Sequence, residues 1–253
     1  MDVELALDKK VLVNPRESPQ VINVSKNFHR IICPSRLLIT GPSLSGKSTF
    51  IKLLLQHREN IYDSQFTRVI YCSPHCFSGA LDAYLSSLRS HFPDLELSSE
   101  LPNVVDLNLS ADGYHKLILI DDFMLRFNNS DVAFKLLTIQ SHHMNISLVV
   151  TSHNLFAGSK FQKTLTRNYS EIVLLYTRSD KLSLRTLGVQ MFPDNARILI
   201  KAMNWVEKNI SSQLKYLLLD ISPLTHLPPN MVIRTEIFSQ NPVFFIPINS
   251  DQD

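Results

Sequence analysis

Gly41-Pro42-Ser43-Leu44-Ser45-Gly46-Lys47-Ser48 decides the fold of this chain. It fits the pattern G-x-x-x-x-G-K-[ST] at every fixed position. Arg36-Leu37-Leu38-Ile39-Thr40 before it reads as a short buried strand, and Thr49 to Gln56 after it as a helix. A strand, a glycine loop and a helix in that order make an anion cradle. Backbone N–H groups curl round a phosphate, and the helix N-terminus adds its dipole. Gly41, Pro42, Ser43, Leu44, Ser45, Gly46, Lys47, Ser48 and Thr49 are therefore expected to hold the phosphates of a nucleotide, with ATP the expected ligand. Lys47 is expected to reach the β- and γ-phosphates, and the Ser48 hydroxyl to ligate Mg²⁺. Only 6 glycines occur in 253 residues, and two of them fall on the fixed positions, which argues against a chance match.

Composition narrows the rest. A chain of this length can bury a full core as one large α/β domain. A net charge of +2 excludes a wholesale basic character of the histone kind, so any DNA contact must come from local patches. The three cysteines, Cys33, Cys72 and Cys76, are too sparse for a disulfide framework and suggest a reducing compartment. Cys72-x-x-His75-Cys76 has no second ligand cluster at zinc-finger spacing and reads as a strand end. No apolar run approaches the roughly 18 residues that a membrane helix needs, so no membrane partner is expected.

Strands and helices alternate from residue 35 onward. Arg68–Cys72, Leu117–Ile120, Ile146–Val150 and Ile172–Tyr176 read as strands, and Leu81–His91 and Val132–Gln140 as helices. Continuous apolar strands between helices predict an α/β fold, a mostly parallel sheet covered on both faces. Tyr216–Asp220, Met231–Arg234 and Val243–Ile246 are strands between Pro-rich turns, a β-rich C-terminal tail that extends the sheet or forms an antiparallel edge. Residues 1–34 read as an N-terminal arm or an added strand, and 35–253 as one P-loop domain.

Leu117-Ile118-Leu119-Ile120-Asp121-Asp122 supplies the second half of the expected site. A buried parallel strand delivers its C-terminal residues to the ligand edge of the sheet. Asp121 is expected to hold Mg²⁺, and Asp122 to act as general base toward an attacking water. Val149-Val150-Thr151-Ser152-His153-Asn154 also ends a buried strand in polar residues, and His153 or Asn154 is the candidate sensor of the terminal phosphate. Charge developing on the γ-phosphoryl calls for an arginine, and Arg167, Arg178 and Arg185 are the candidates, at positions a neighbouring subunit could receive.

Together, Gly41 to Phe50, Leu117 to Met124, Ser141 to Ser147 and Ser152-His153-Asn154-Leu155-Phe156 resemble viral DNA-packaging ATPases of the FtsK/HerA superfamily, most closely those of Maverick/Polinton-type elements and adintoviruses. Arg178-Ser-Asp-Lys181, Gln190-Met-Phe-Pro193 and Tyr216 to Ile221 fit the same pattern, so the resemblance covers roughly residues 35 to 238. It implies a homo-oligomeric ring that pumps double-stranded DNA into a capsid using ATP and Mg²⁺, with an arginine acting across the subunit boundary. It also implies capsid or portal proteins as partners, and a host nucleus or virion assembly site as the location. Two positions depart from the family. His153 stands where it usually has Gln, and Lys163 where it often has Arg. Lysine cannot make the forked contact of arginine. Lys160, Lys163 and Arg167 form a basic cluster that could grip DNA phosphates. A P-loop kinase would need an acceptor pocket and an arginine-rich lid, which the sequence does not supply convincingly. A nucleotide-dependent switch or assembly factor stays open beside the motor.

Overall fold

The strands at the centre of this protein are apolar on both faces, and successive residues serve two different cores. Leu37 and Ile39 pack into one buried cluster and Leu38 into the other. Leu117 and Leu119 alternate with Ile118 and Ile120 in the same way, as does Val149 with Leu148 and Val150. A strand's period of two sends neighbours to opposite faces, so an unbroken apolar run means a sheet covered on both sides. The computed structural model describes residues 10–11, 20–23, 30–77, 82–102, 114–123, 135–137, 144–155, 168–177, 181–225, 227, 232–240 and 242–246.

The strands are β1 (Lys10–Val11), β2 (Gln20–Asn23), β3 (Arg36–Thr40), β4 (Phe66–Cys72), β5 (Leu95–Ser98), β6 (His115–Ile120), β7 (Ile146–Ser152), β8 (Glu171–Leu175), β9 (Tyr216–Asp220), β10 (Ile233–Thr235) and β11 (Val243–Ile246). Among the described residues the helices are α1 (Lys47–Gln56), α2 (Arg58–Ile61), α3 (Asp82–His91), α4 (Lys181–Met191) and α5 (Ile198–Asn209). All the strands join one sheet in the order β1-β2-β11-β10-β9-β8-β3-β7-β6-β4-β5. Strands β8, β3, β7, β6, β4 and β5 run parallel, and β9 starts an antiparallel extension that continues through β10, β11, β2 and β1. The α/β P-loop fold with a mostly parallel sheet is thus the one expected, and the C-terminal strands extend that sheet. Among the described residues no helix is long and apolar enough to cross a membrane.

Helices α1 and α3 cover one face, through Phe50, Ile51, Leu54, Leu55, Leu85 and Leu88. Helices α4 and α5 cover the other, through Leu184, Leu187, Ile198, Leu199, Ala202, Met203 and Val206. Neither α4, α5 nor β5 is among the elements read from the sequence. Gly188 makes the α4–α5 connection possible, because a Cβ there would lie 2.1 Å from the carbonyl oxygen of Ala196. Most of the expected helix over Val132–Gln140 lies outside the described residues, with only 135–137 described, in helical conformation.

Three ionisable side chains are buried where β8, β9 and β10 meet. Glu171 and Asp220 are cross-strand partners. Arg234, fully buried, donates from Nη2 to Asp220 Oδ2 at 3.0 Å. Ser170 Oγ donates to Glu171 Oε2 at 2.5 Å. Burial, with the Asp220 charge beside it, pushes the Glu171 carboxyl from 4.5 up to about 8. Glu171 is then neutral at pH 7, leaving one arginine balanced by one aspartate, the arrangement that low dielectric tolerates best.

This cluster should make folding stability fall with rising pH. Between pH 4.5 and about 8 the folded protein keeps a proton on Glu171 that the unfolded chain has released. Stability present below the unfolded value is therefore lost as pH rises through that window. Urea unfolding of Glu171→Gln should lack this slope. At about pH 8.5 the variant should be more stable than the unmodified protein by on the order of 3 kcal/mol.

Candidate nucleotide site

The phosphate loop leaves the C-terminal end of β3 and enters α1 at Lys47, with Gly46 as N-cap at φ 102° and ψ 17°. That left-handed conformation favours glycine. A Cβ at Gly46 would also meet Leu214 Cδ1 at 2.7 Å. Leu44 takes φ 63° at the exposed tip of the loop, without glycine's freedom. Helix α1 is pinned to the sheet by Phe50, whose ring meets Tyr216 edge-on at 5.1 Å and Phe238 at 5.0 Å. The loop is thus clamped from below, with its Gly41 N–H donating to the Ser152 carbonyl oxygen at 3.1 Å and its Ser45 N–H to the Pro42 carbonyl oxygen at 3.3 Å.

Sheet order brings the acidic strand close. β7 lies between β3 and β6, so the loop, His153 and the acidic pair share one edge. Ser43, Leu44, Gly46, Lys47, Ser48, Thr49, Asp121, Asp122 and His153 line a single cavity of about 380 Å³. Asn154 is exposed and is not among the lining residues, and its backbone N–H donates to Ser152 Oγ. Arg185 is exposed on α4 and does not line the cavity either. Arg167, Arg178, Lys160 and Lys163 lie outside the described residues.

Among the described residues Lys47 is the cation that lines the site, and it is mostly buried. Its Nζ donates to the carbonyl oxygens of Gly41 at 2.8 Å and Pro42 at 2.9 Å. Burial lowers its pKa, and the charges of Asp122 and Asp121 oppose that. Nζ also lies 3.3 Å from His153 Nδ1. An ammonium has only donors, so Nδ1 must accept and the ring proton sits on Nε2. Nε2 in turn lies 3.4 Å from Asp122 Oδ1. His153 therefore bridges the loop lysine and the second acid.

Asp121 is held from both sides. Tyr71 Oη donates to its Oδ2 at 2.5 Å, and Thr151 Oγ1 donates to its Oδ1 at 2.6 Å. Burial pushes the Asp121 carboxyl up, and these two hydroxyl bonds pull it back. The Asp122 backbone N–H donates to the same Thr151 oxygen at 3.2 Å, so one hydroxyl ties both acids to β7. Asp122 takes φ 59°, a left-handed conformation that costs energy in a non-glycine residue and collects at functional sites. Sequence reasoning overlooked Tyr71 and gave Thr151 no role. Tyr71 carries no local signal, because its partner is known only once β4 and β6 are known to be neighbours.

An anion-binding loop, a buried lysine and two acids at the C-terminal edge of a parallel sheet define a P-loop NTPase, a fold built to bind a nucleotide with a divalent metal. The chain belongs to the Rad17 P-loop domain family, which matches residues 2–164. No curated protein matches it. Among solved structures it is similar to the genome packaging NTPase B204 of Sulfolobus turreted icosahedral virus 2 in complex with ATP-gammaS, with 15% identity, a TM-score of 0.46, and coverage of 74% of this chain and 93% of that one. It is also similar to the KaiC-like protein PH0186 of Pyrococcus horikoshii OT3, with 14% identity, a TM-score of 0.44, and coverage of 85% and 91%. A third likeness is to ATPases 2 and 3 of EssC from Geobacillus thermodenitrificans, with 13% identity, a TM-score of 0.43, and coverage of 87% and 41%. Likeness at this level carries no argument about substrates or partners. The expected FtsK/HerA resemblance is met at the level of the P-loop NTPase superfamily.

Replacing Gly46 tests the loop geometry. Gly46→Ala must place a Cβ at positive φ and against Leu214, at a conformational cost of about 1–2 kcal/mol before the clash is counted. Titration with a fluorescent nucleotide should show at least tenfold weaker binding, with a lowered melting temperature.

Proposed function

We propose that this chain is an ATPase that translocates double-stranded DNA, of the viral genome-packaging kind. One observation carries the hydrolytic part: Lys47, Ser48, Asp121, Asp122 and His153 line the same cavity. The Ser48 hydroxyl and Asp121 carboxylate are oxygen donors of the kind a hard cation takes, and they fit Mg²⁺. When bound with ATP, Mg²⁺ would neutralise charge on the β- and γ-oxygens. Lys47 exchanges its loop carbonyls for phosphate oxygens. Asp122, about two-fifths exposed, orients the attacking water and takes its proton. His153, released from Lys47, is placed to sense the terminal phosphate through a ring N–H donor. The rate gain is mainly positioning and charge stabilisation.

DNA translocation rests on the sequence resemblance carried by Ser141 to Ser147 and Ser152 to Phe156. In this reading the chain forms a ring, DNA is held through its phosphates, and one of Arg167, Arg178 and Arg185 completes a neighbour's site. Capsid or portal proteins are the further partners, at a host nucleus or virion assembly site. A second reading, a nucleotide-dependent switch with slow turnover, is favoured by the His153 bridge, which engages Lys47 and Asp122 at once.

ATP hydrolysis by the purified protein, with and without long double-stranded DNA across a salt series, separates the two. A motor gives turnover that rises with DNA and falls with salt, whereas turnover indifferent to DNA sinks the translocation reading. Lys47→Ala should abolish turnover with the fold retained. Asp122→Asn should still bind ATP while kcat falls by about 10²–10⁴.

A further inference from the structure

The chemistry above uses Asp121 but leaves a buried tyrosine hydroxyl beside it without a role. Tyr71, the penultimate residue of β4, is fully buried, and its Oη lies 2.5 Å from Asp121 Oδ2. Thr151, on β7, lies 2.6 Å from Oδ1. β4 and β7 are the two strands that flank β6. The carboxylate is therefore gripped from both neighbouring strands, one hydroxyl to each oxygen. Two bonds to different oxygens fix the plane of the group, which a single bond leaves free to rotate. An ionised carboxylate accepts about four hydrogen bonds, so the two hydroxyls leave capacity for further ligands on the cavity side.

We propose that Tyr71 is a positioning residue for the divalent metal of the nucleotide site, acting through Asp121 Oδ2 to hold the carboxylate plane that Thr151 holds from the other side. Tyr71 itself touches neither nucleotide nor metal. Partners of this kind, which orient a metal-binding group without binding the metal, typically contribute 10–100-fold in metal affinity. The inference rests on the nucleotide-site reading for what the metal accompanies, but it does not require turnover or DNA.

Tyr71→Phe removes only the hydroxyl and keeps the ring, which packs edge-on against Tyr84 at 6.4 Å. Mn²⁺ is the probe, its free concentration read by electron paramagnetic resonance in the presence of ADP. Fluorescent ADP binding in excess chelator gives the metal-free affinity. The expected result is Mn²⁺ binding weakened about tenfold or more, with metal-free ADP affinity within twofold of the unmodified protein. Thr151→Val should weaken Mn²⁺ similarly, and Thr151→Ser should restore it. Unchanged Mn²⁺ affinity in Tyr71→Phe overturns the proposal, and so does an equal loss of metal-free ADP binding. If Tyr71→Phe fails to fold, the Thr151 pair decides: Thr151→Val with unmodified Mn²⁺ affinity overturns it, and a loss rescued by serine supports it. If the unmodified protein binds Mn²⁺ and ADP but never hydrolyses ATP, only the ATPase reading fails. An unmodified protein that binds no nucleotide overturns both.

Discussion

Burial of β3, β7 and β6 on both faces is the constraint on which the rest of this structure depends. Leu37, Leu38 and Ile39, Leu117 to Ile120, and Leu148 to Val150 are all at most 3% exposed. Nothing polar fits along those runs unless a partner is supplied, so reactive groups are confined to the strand ends. At the C-terminal ends of adjacent strands stand the phosphate loop, the acidic pair and His153. The site is a consequence of how the core is covered, since α1 and α3 close one face and α4 and α5 the other.

Within the site, the same partial burial that excludes water makes charge costly. Lys47 is mostly buried and takes the carbonyls of Gly41 and Pro42 as partners. Asp121 is mostly buried and takes two hydroxyls. Asp122 is more open, and His153 links it to Lys47. One acid is therefore rigid and enclosed while its neighbour in sequence is accessible. That difference suits a metal-holding role for Asp121 and a water-facing role for Asp122.

The opposite end of β8 shows the same rule applied away from the nucleotide cavity. Glu171, Asp220 and Arg234 are buried together, and the desolvation of Glu171 leaves the cluster near neutral. It joins the parallel half of the sheet to the antiparallel extension at the β8–β9 boundary. The extension matters to the site, because Tyr216 of β9 and the neighbouring Phe238 hold Phe50 and with it the start of α1.

Much of this was legible in the chain itself. Gly41 to Ser48 determines the loop, because a lysine and a left-handed glycine at that spacing are local requirements. The apolar runs ending in Asp121 and in His153 determine two strands with polar ends, and Arg36–Thr40, Tyr216–Asp220 and Val243–Ile246 have the bounds their pattern predicts. Helix α5 was readable too, since Ile198, Leu199, Ala202, Met203 and Val206 follow a helical stripe. Helix α4 was less so, with Ser183, Thr186, Gly188 and Val189 weakening its propensity, and it is held by packing of Leu184 and Leu187. What only the tertiary structure decided is which ends are neighbours. Tyr71 meets Asp121 across 50 positions, and His153 meets Lys47 across 106. Strand order sets those contacts, and it is a property of how the two cores close over the whole sheet rather than of any local stretch.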